Sequence, residues 1–136
     1  MKRILVIDDD DAVRDSFVAA LECRDYVISS AGSGLAGLES AKSDRPDLVF
    51  LDLKMPGMNG VETLAKLRDC CPDVPVYIVT GFHAEFLEPL KELRARGAAF
   101  DLARKPLTLS EIRAIAASAL SQKSEAVNVD EASRHH

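Results

Sequence analysis

The chain has 136 residues, of which 47% are hydrophobic and 29% are charged, and its formal net charge is −5. These values are typical of one globular domain and argue against a two-domain enzyme with separate lobes. No apolar run approaches the ~20 residues of a membrane-spanning helix, and no signal peptide is visible, so we expect a cytoplasmic protein without membrane contact. The excess of acidic over basic residues argues against direct nucleic-acid binding by this domain, because phosphate binding needs a basic face.

Five short apolar runs predict β-strands. They are too short for good helices and are mostly rich in Val and Ile, and they cover residues 4–7, 26–28, 48–51, 76–79 and 100–103. The first, third and fourth runs are apolar almost throughout. That pattern is typical of strands buried on both faces of a parallel sheet.

Segments with helical spacing of apolar residues lie between and after these runs. The predicted inward-facing residues, helix by helix, are Val13, Phe17, Ala20 and Leu21; Leu35, Leu38 and Ala41; Val61, Leu64, Ala65 and Leu67; Leu87, Leu90 and Leu93; Ile112, Ile115, Ala116 and Leu120. We expect the fourth helix over 84–96, with Pro89 in its first turn. The fifth is expected over 109–120, with Thr108 and Glu111 as a capping box.

Strand and helix thus alternate about five times, which predicts an α/β fold with a doubly wound, five-stranded parallel sheet and helices on both faces. After about position 122 the residues turn polar and lose the apolar stripe. We therefore predict a domain over 1–122 and, over 123–136, a polar tail, a severed linker or the remnant of a tag.

Polar residues follow four of the predicted strands. Asp8 and Asp9 follow the first strand, Asp52 the third, Thr80 the fourth and Lys105 the fifth. Because the carboxyl ends of parallel strands share one edge of the sheet, these side chains are expected to converge. Two carboxylates ~4 Å apart repel by about 4 kcal/mol at an effective dielectric of ~20, a penalty that Mg²⁺ would remove. The set suits phosphoryl transfer to a carboxylate.

Four segments carry a resemblance to a known family. They are ILVIDDD at 4–10, LDLKMPGMNG at 51–60, VTG at 79–81 and RKP at 104–106. Together, in this order and each at the end of a predicted strand, they resemble the receiver domain of two-component response regulators over about residues 3–120. The resemblance implies the flavodoxin-like strand order 2-1-3-4-5. It also implies a phosphorylation-activated switch rather than an enzyme that turns over a separate substrate.

The resemblance implies a role for each matching carboxylate. Asp52 would accept a phosphoryl group from a sensor histidine kinase or a phosphotransfer protein and would lose it slowly by hydrolysis. Asp9 would bind Mg²⁺ directly and Asp8 mostly through water. Asp52 and the backbone carbonyl of Lys54 would complete the protein ligands.

The resemblance also covers the residues beyond the carboxylates. Thr80 and Lys105 would bind the phosphoryl oxygens, and the bond between Lys105 and Pro106 is usually cis in the family. Receivers usually carry Tyr or Phe three residues before this lysine, where this chain has Leu102, and its nearest aromatic is Phe100. Either the switch runs through Leu102 and Thr80 alone, or the loop is shifted.

In the family, the face formed by the fourth helix, fifth strand and fifth helix contacts an output domain, a partner protein or a second receiver in a homodimer. Two other functions stay open. A haloacid-dehalogenase-type phosphatase would use Asp8 as its nucleophile, although Ala12 stands where that motif has Thr or Val. The second of these functions is an adaptor that works without phosphorylation.

Overall fold

The computed structural model describes residues 1–22, 25–81 and 83–133, and within them five strands alternate with five α-helices. In chain order these are β1 (Lys2–Ile7), α1 (Asp11–Leu21), β2 (Tyr26–Ala31), α2 (Gly34–Ser43), β3 (Leu48–Asp52), α3 (Gly60–Cys70), β4 (Val76–Thr80), α4 (Leu87–Ala95), β5 (Asp101–Arg104) and α5 (Leu109–Ser133). A 3₁₀ turn, Ala84–Phe86, leads into α4. The predicted alternation is confirmed.

The strands form one parallel sheet in the order β2-β1-β3-β4-β5. The doubly wound topology and the strand order 2-1-3-4-5 are therefore confirmed. β3 lies at the centre of the sheet and is buried along its whole length. Because all strands run the same way, the residues after β1, β3, β4 and β5 lie along one edge. Across the residues described, no helix combines the length and apolar character needed to cross a bilayer.

The two faces of the sheet carry separate hydrophobic cores. Helices α2, α3 and α4 cover one core and helices α1 and α5 cover the other. Alternate residues of the central strands serve the two sides: Leu5, Ile7, Val49 and Leu51 face the first core, and Ile4, Val6, Leu48 and Phe50 the second. This two-sided burial explains the continuous apolar runs of β1 and β3.

Two leucines that were predicted to face the core lie at the surface. Leu35 is 59% exposed and Leu87 is 51% exposed. In α2 the buried face includes Gly34 and Gly37, whose lack of side chains allows close packing, so Leu35 is turned outward. Leu87 lines an apolar groove beside β5 that no other described element covers.

Two helix boundaries also differ from the sequence prediction. The predicted helix over 84–96 is divided into the 3₁₀ turn and α4, with Pro89 in the first turn of α4 as expected. Proline has no N–H to donate to the carbonyl four residues back, which disfavours one continuous α-helix over 84–96. Helix α5 continues past position 120 to Ser133, because 121–133 contains neither Gly nor Pro to stop it. The domain boundary at 122 stays a prediction, and 134–136 lie outside the described residues.

Candidate functional site

Three carboxylates meet at the carboxyl edge of the sheet. Asp8 and Asp9 directly follow β1, and Asp52 is the last residue of β3. One oxygen from each of the three lies within 4.8 Å of the others. Asp8 is 3% exposed and Asp52 6% exposed, whereas Asp9 is open to solvent. The structure thus brings together a buried pair of acids and a third acid at the surface.

The turn between β1 and α1 holds Asp8 in place. The backbone N–H of Asp8 donates to the carbonyl of Ala31 at 3.1 Å, and the guanidinium of Arg14 donates to the carbonyl of Asp8 at 2.6 Å. The Asp8 carboxylate accepts the N–H of Asp10 at 2.9 Å. Asp10 in turn caps α1, since its side chain accepts N–H groups of the first turn. The first strand and first helix are therefore joined through the acidic segment.

Lys105 connects the acids of the two strands. Its Nζ lies 2.9 Å from Oδ2 of Asp8 and 3.1 Å from Oδ1 of Asp52. The backbone N–H of Lys105 donates to the carbonyl of Thr80 at 2.9 Å, and the bond between Lys105 and Pro106 is cis. The lysine thus reaches from β5, at one edge of the sheet, to the centre.

The electrostatics of this group are unfavourable for Asp52. Burial raises the pKa of Asp52, and the negative charge of Asp8 adds to that effect, which the Lys105 ammonium opposes without cancelling. Burial alone would lower the pKa of Lys105, but its hydrogen bond to Asp8 and the charge of Asp52 raise it instead. The pKa of Asp52 is thus raised mainly by burial, whereas the pKa of Lys105 is raised by its two carboxylate partners.

The donor set fits a hard divalent cation. Three carboxylates around one ammonium leave two negative charges unbalanced. Carboxylate oxygens are the ligands that Mg²⁺ prefers, and the exposed position of Asp9 leaves room for the waters that Mg²⁺ retains. The residues that could hold such an ion are Asp8, Asp9 and Asp52, the same acids that the sequence singled out.

Thr80 and Lys54 flank the acids. Thr80 ends β4, next to β3 in the sheet, and is 5% exposed. Lys54 follows Asp52 by two residues, and its side chain is exposed, with Nζ 3.9 Å from a carboxylate oxygen of Glu85. The ammonium of Lys54 therefore pairs with the 3₁₀ turn, and the predicted role of its backbone carbonyl as a ligand stays a prediction.

The position of the usual switch aromatic is occupied by Leu102. The β4–β5 register is regular and pairs Leu102 with Ile78, within the strand itself. Phe100 precedes β5, and the guanidinium of Arg94 lies 4.1 Å from the centre of its ring. Leu102 is 50% exposed and, together with Leu87, lines the apolar groove. The volume of this groove is about 210 Å³.

Two residues that bear on the site were missed by sequence reasoning. Arg14 contacts the Asp8 carbonyl and also pairs with the carboxylate of Asp11. Its i,i+3 spacing from Asp11 on a predicted helix was a usable signal for the ion pair. Gly60 ends the segment at 51–60 that carries the family resemblance, but its contact with the backbone of Asp52 depends on how α3 packs against β3.

Comparisons with known proteins agree on one family. A family model described as the response regulator receiver domain matches residues 4–117. Response regulator MprA of Mycobacterium ulcerans (strain Agy99) is 38% identical over 112 residues, which cover 82% of this chain and 47% of the relative. The protein of the same name from Mycobacterium avium (strain 104) is also 38% identical over 112 residues, which cover 82% of this chain and 48% of the relative. This chain spans about half the length of these relatives.

Solved structures give the same result. A receiver domain protein (CheY-like) from Methanospirillum hungatei JF-1 superposes with a TM-score of 0.82 at 29% identity, covering 92% of this chain and 98% of that chain. NtrX from Brucella abortus, in complex with ADP, superposes with a TM-score of 0.78 at 26% identity. That match covers 96% of this chain and 30% of NtrX.

Proposed function

We propose that this chain, which belongs to the response regulator receiver domain family of two-component signalling, accepts a phosphoryl group on Asp52 and thereby switches a distant face. The donor would be a phosphohistidine on a sensor histidine kinase or a phosphotransfer protein, in the cytoplasm. The observation that carries the proposal is the position of Asp52, at the end of the central strand, within 4.8 Å of two further acids and beside an ammonium.

Asp52 is suited to act as the nucleophile. A carboxylate oxygen of Asp52 would attack phosphorus as the bond from phosphorus to the histidine nitrogen breaks, and the imidazole would leave with the electron pair. This step needs the ionised carboxylate, although burial raises the pKa of Asp52. The contact from Lys105 at 3.1 Å favours the ionised form and so keeps the nucleophile available.

We propose Asp8, Asp9, Asp52 and the backbone carbonyl of Lys54 as the residues that hold Mg²⁺. When bound, the ion would neutralise the acids and the charge on the phosphoryl oxygens. The chain itself fixes the ligand positions: β1 and β3 are adjacent in the sheet, and the Asp8 backbone is held by Ala31 and by the guanidinium of helix α1.

Lys105 and Thr80 would recognise the phosphorylated state. A phosphoryl group on Asp52 brings acceptor oxygens and added charge, and the Lys105 ammonium already lies beside the accepting carboxylate. The Thr80 hydroxyl would donate to a phosphoryl oxygen and draw the end of β4 inward. Because these groups bind the phosphorylated form better than the free acid, the modification shifts the population of conformers.

The surface that reads out the switch would be the face of α4, β5 and α5. Its described part includes the apolar groove where Leu87 and Leu102 are half exposed. In this chain Leu102, rather than an aromatic residue, would couple Thr80 to that face. An output domain, a partner protein or a second receiver copy would bind there.

Phosphorylation with acetyl phosphate tests the proposal. We expect the intact mass to rise by one phosphoryl group when both acetyl phosphate and Mg²⁺ are present, and not when Mg²⁺ is chelated. Asp52→Asn should abolish the increase, whereas the exposed control Asp11→Asn should retain it. Labelling that persists in Asp52→Asn would favour the phosphatase mechanism on Asp8, and folded wild-type protein that takes no label would favour the adaptor.

A further inference from the structure

We propose that Gly60 is a positioning residue for Asp52, and that the bare backbone of this glycine sets the place of the nucleophile. The inference rests on the proposed function, since it concerns how well Asp52 is aligned for the same reaction. It follows from a contact between the start of α3 and the end of β3. Neither element's own periodicity requires that contact.

The contact is closer than any side chain allows. A Cβ built on Gly60 would lie 2.3 Å from the carbonyl oxygen of Asp52, 2.7 Å from Cα of Leu53 and 3.0 Å from the carbonyl carbon of Asp52. All three atoms belong to the backbone, which cannot rotate away as the end of a side chain can. Any larger residue at position 60 must therefore move the backbone of Asp52 or the start of α3.

The start of α3 is fixed to this strand end by a hydrogen bond. The N–H of Gly60 donates to the carbonyl of Leu53 at 2.8 Å. The residue before it, Asn59, forms a capping box with Glu62, at 2.9 and 3.0 Å, that holds the first turn of the helix. The capping box keeps this turn together, and the turn cannot recede without losing the bond from Gly60 to Leu53, so part of the displacement reaches Asp52.

The other side of Asp52 is fixed as well. Asp52 pairs with Val79 in the β3–β4 register, and β3 is buried at the centre of the sheet. Its carboxylate lies 3.1 Å from Lys105 and within 4.8 Å of oxygens of the other acids. A misplacement of ~1 Å at a reacting group can lower a rate by ~100-fold. Small movements of this backbone therefore matter for the chemistry more than for the fold.

Gly34 provides a matched control. It is also the first, buried residue of its helix, and a Cβ there would lie equally close, 2.3 Å, to the side-chain Oγ1 of Thr63. The substitution Gly34→Ala thus also creates an overlap at a helix start, but with the side chain of Thr63 and not with the backbone of Asp52. Gly57 would not serve as a control. Its φ of +74° favours glycine, but a Cβ there would meet no atom within 4 Å, so a substitution would cause backbone strain and no overlap.

The experiment compares wild type, Gly60→Ala and Gly34→Ala. Melting temperature, Mg²⁺ affinity by calorimetry and the rate of labelling by acetyl phosphate at saturating Mg²⁺ are measured for each. We expect both variants to melt earlier, but only Gly60→Ala to label about tenfold or more slowly at saturating Mg²⁺. Equal labelling rates for the two variants would overturn the positioning role, whereas failure of the wild type to label would overturn the proposed function itself.

If Gly60→Ala does not fold in buffer, the comparison is made in trimethylamine N-oxide, which favours the folded state without restoring the alignment. If it does not fold there either, the glycine is a requirement of the fold and the positioning role is overturned. Asn59→Ala is a second control, because it removes the capping box without placing any atom against the backbone of Asp52. We expect its saturating labelling rate to stay close to that of the wild type; a loss as large as that of Gly60→Ala would mean that any weakening of the helix start slows labelling, and would contradict the inference.

Discussion

The two ends of the sheet are built in opposite ways. At the carboxyl end, Asp8 and Asp52 are buried together with one ammonium between them, and burial raises the pKa of Asp52. At the amino ends of β4 and β5, the guanidinium of Arg68 donates to neutral carbonyls, those of Val74 at 2.7 Å and Ala99 at 3.1 Å. The first arrangement weakens the fold at the proposed nucleophile, whereas the second stabilises the fold.

The largest expected effect concerns the amino end. Arg68→Ala should lower the free energy of unfolding by about 2–3 kcal/mol, because partly buried carbonyls lose a charged donor that joins two loops. Urea denaturation measures the loss. Mg²⁺ affinity should change little, since Arg68 is remote from the acids. A variant as stable as wild type would mean that the two ends do not differ as stated.

Binding of Mg²⁺ at the carboxyl end should raise the free energy of unfolding. At a concentration 100 times its dissociation constant, the ion is expected to stabilise the wild type by about 2.7 kcal/mol through linkage. Asp9→Ala should lose most of this gain with little change in the stability of the apo form, because Asp9 is exposed. Thermal melts with and without Mg²⁺ measure this stabilisation. Equal stabilisation of the wild type and of Asp9→Ala would mean that the ion binds elsewhere.

Removing the buried charge should stabilise the metal-free protein. We expect Asp52→Asn to gain about 1 kcal/mol at neutral pH, since the amide needs less hydration and is not repelled by Asp8. The folded-state pKa of Asp52 is raised, so its unfavourable contribution is present at neutral pH and disappears as pH falls through that pKa. Urea denaturation at neutral and acidic pH should show the gain shrinking on acidification. A gain that grows on acidification would contradict the stated cause.

The smallest effect is expected at the rim of the same end. Lys54→Ala removes an exposed ion pair with Glu85 at 3.9 Å, so the free energy of unfolding should change by less than about 0.5 kcal/mol. Mg²⁺ affinity should stay within about threefold, because only the backbone carbonyl of Lys54 is proposed as a ligand. Calorimetry checks both statements, and a large loss of affinity would assign the side chain a role.

Much of the carboxyl end could be predicted from the sequence. The apolar runs of β1 and β3 fix where each strand ends, and the acids that follow must then meet at one edge. The proposed roles of Asp52, Thr80 and Lys105 depend further on the family resemblance. Spacing alone indicates a charged site and not which of its acids reacts.

The amino end and the close contacts could not be predicted. Arg68 reaches a carbonyl 31 residues away, and Gly60 meets the backbone of Asp52, so both depend on the distance between packed elements. The exposure of Leu35 and Leu87 was missed for the same reason. Helical periodicity gives the direction of a side chain but not whether a neighbouring element covers it.

Mapping the site of phosphorylation tests the central claim most directly. The protein is treated with acetyl phosphate and Mg²⁺ and then reduced with borohydride, which converts an aspartyl phosphate into homoserine, and its peptides are sequenced by mass spectrometry. The account predicts homoserine at position 52 and unmodified aspartate at positions 8 and 9. Homoserine at position 8, or phosphorylation of another residue while the aspartate at position 52 stays unmodified, would contradict it.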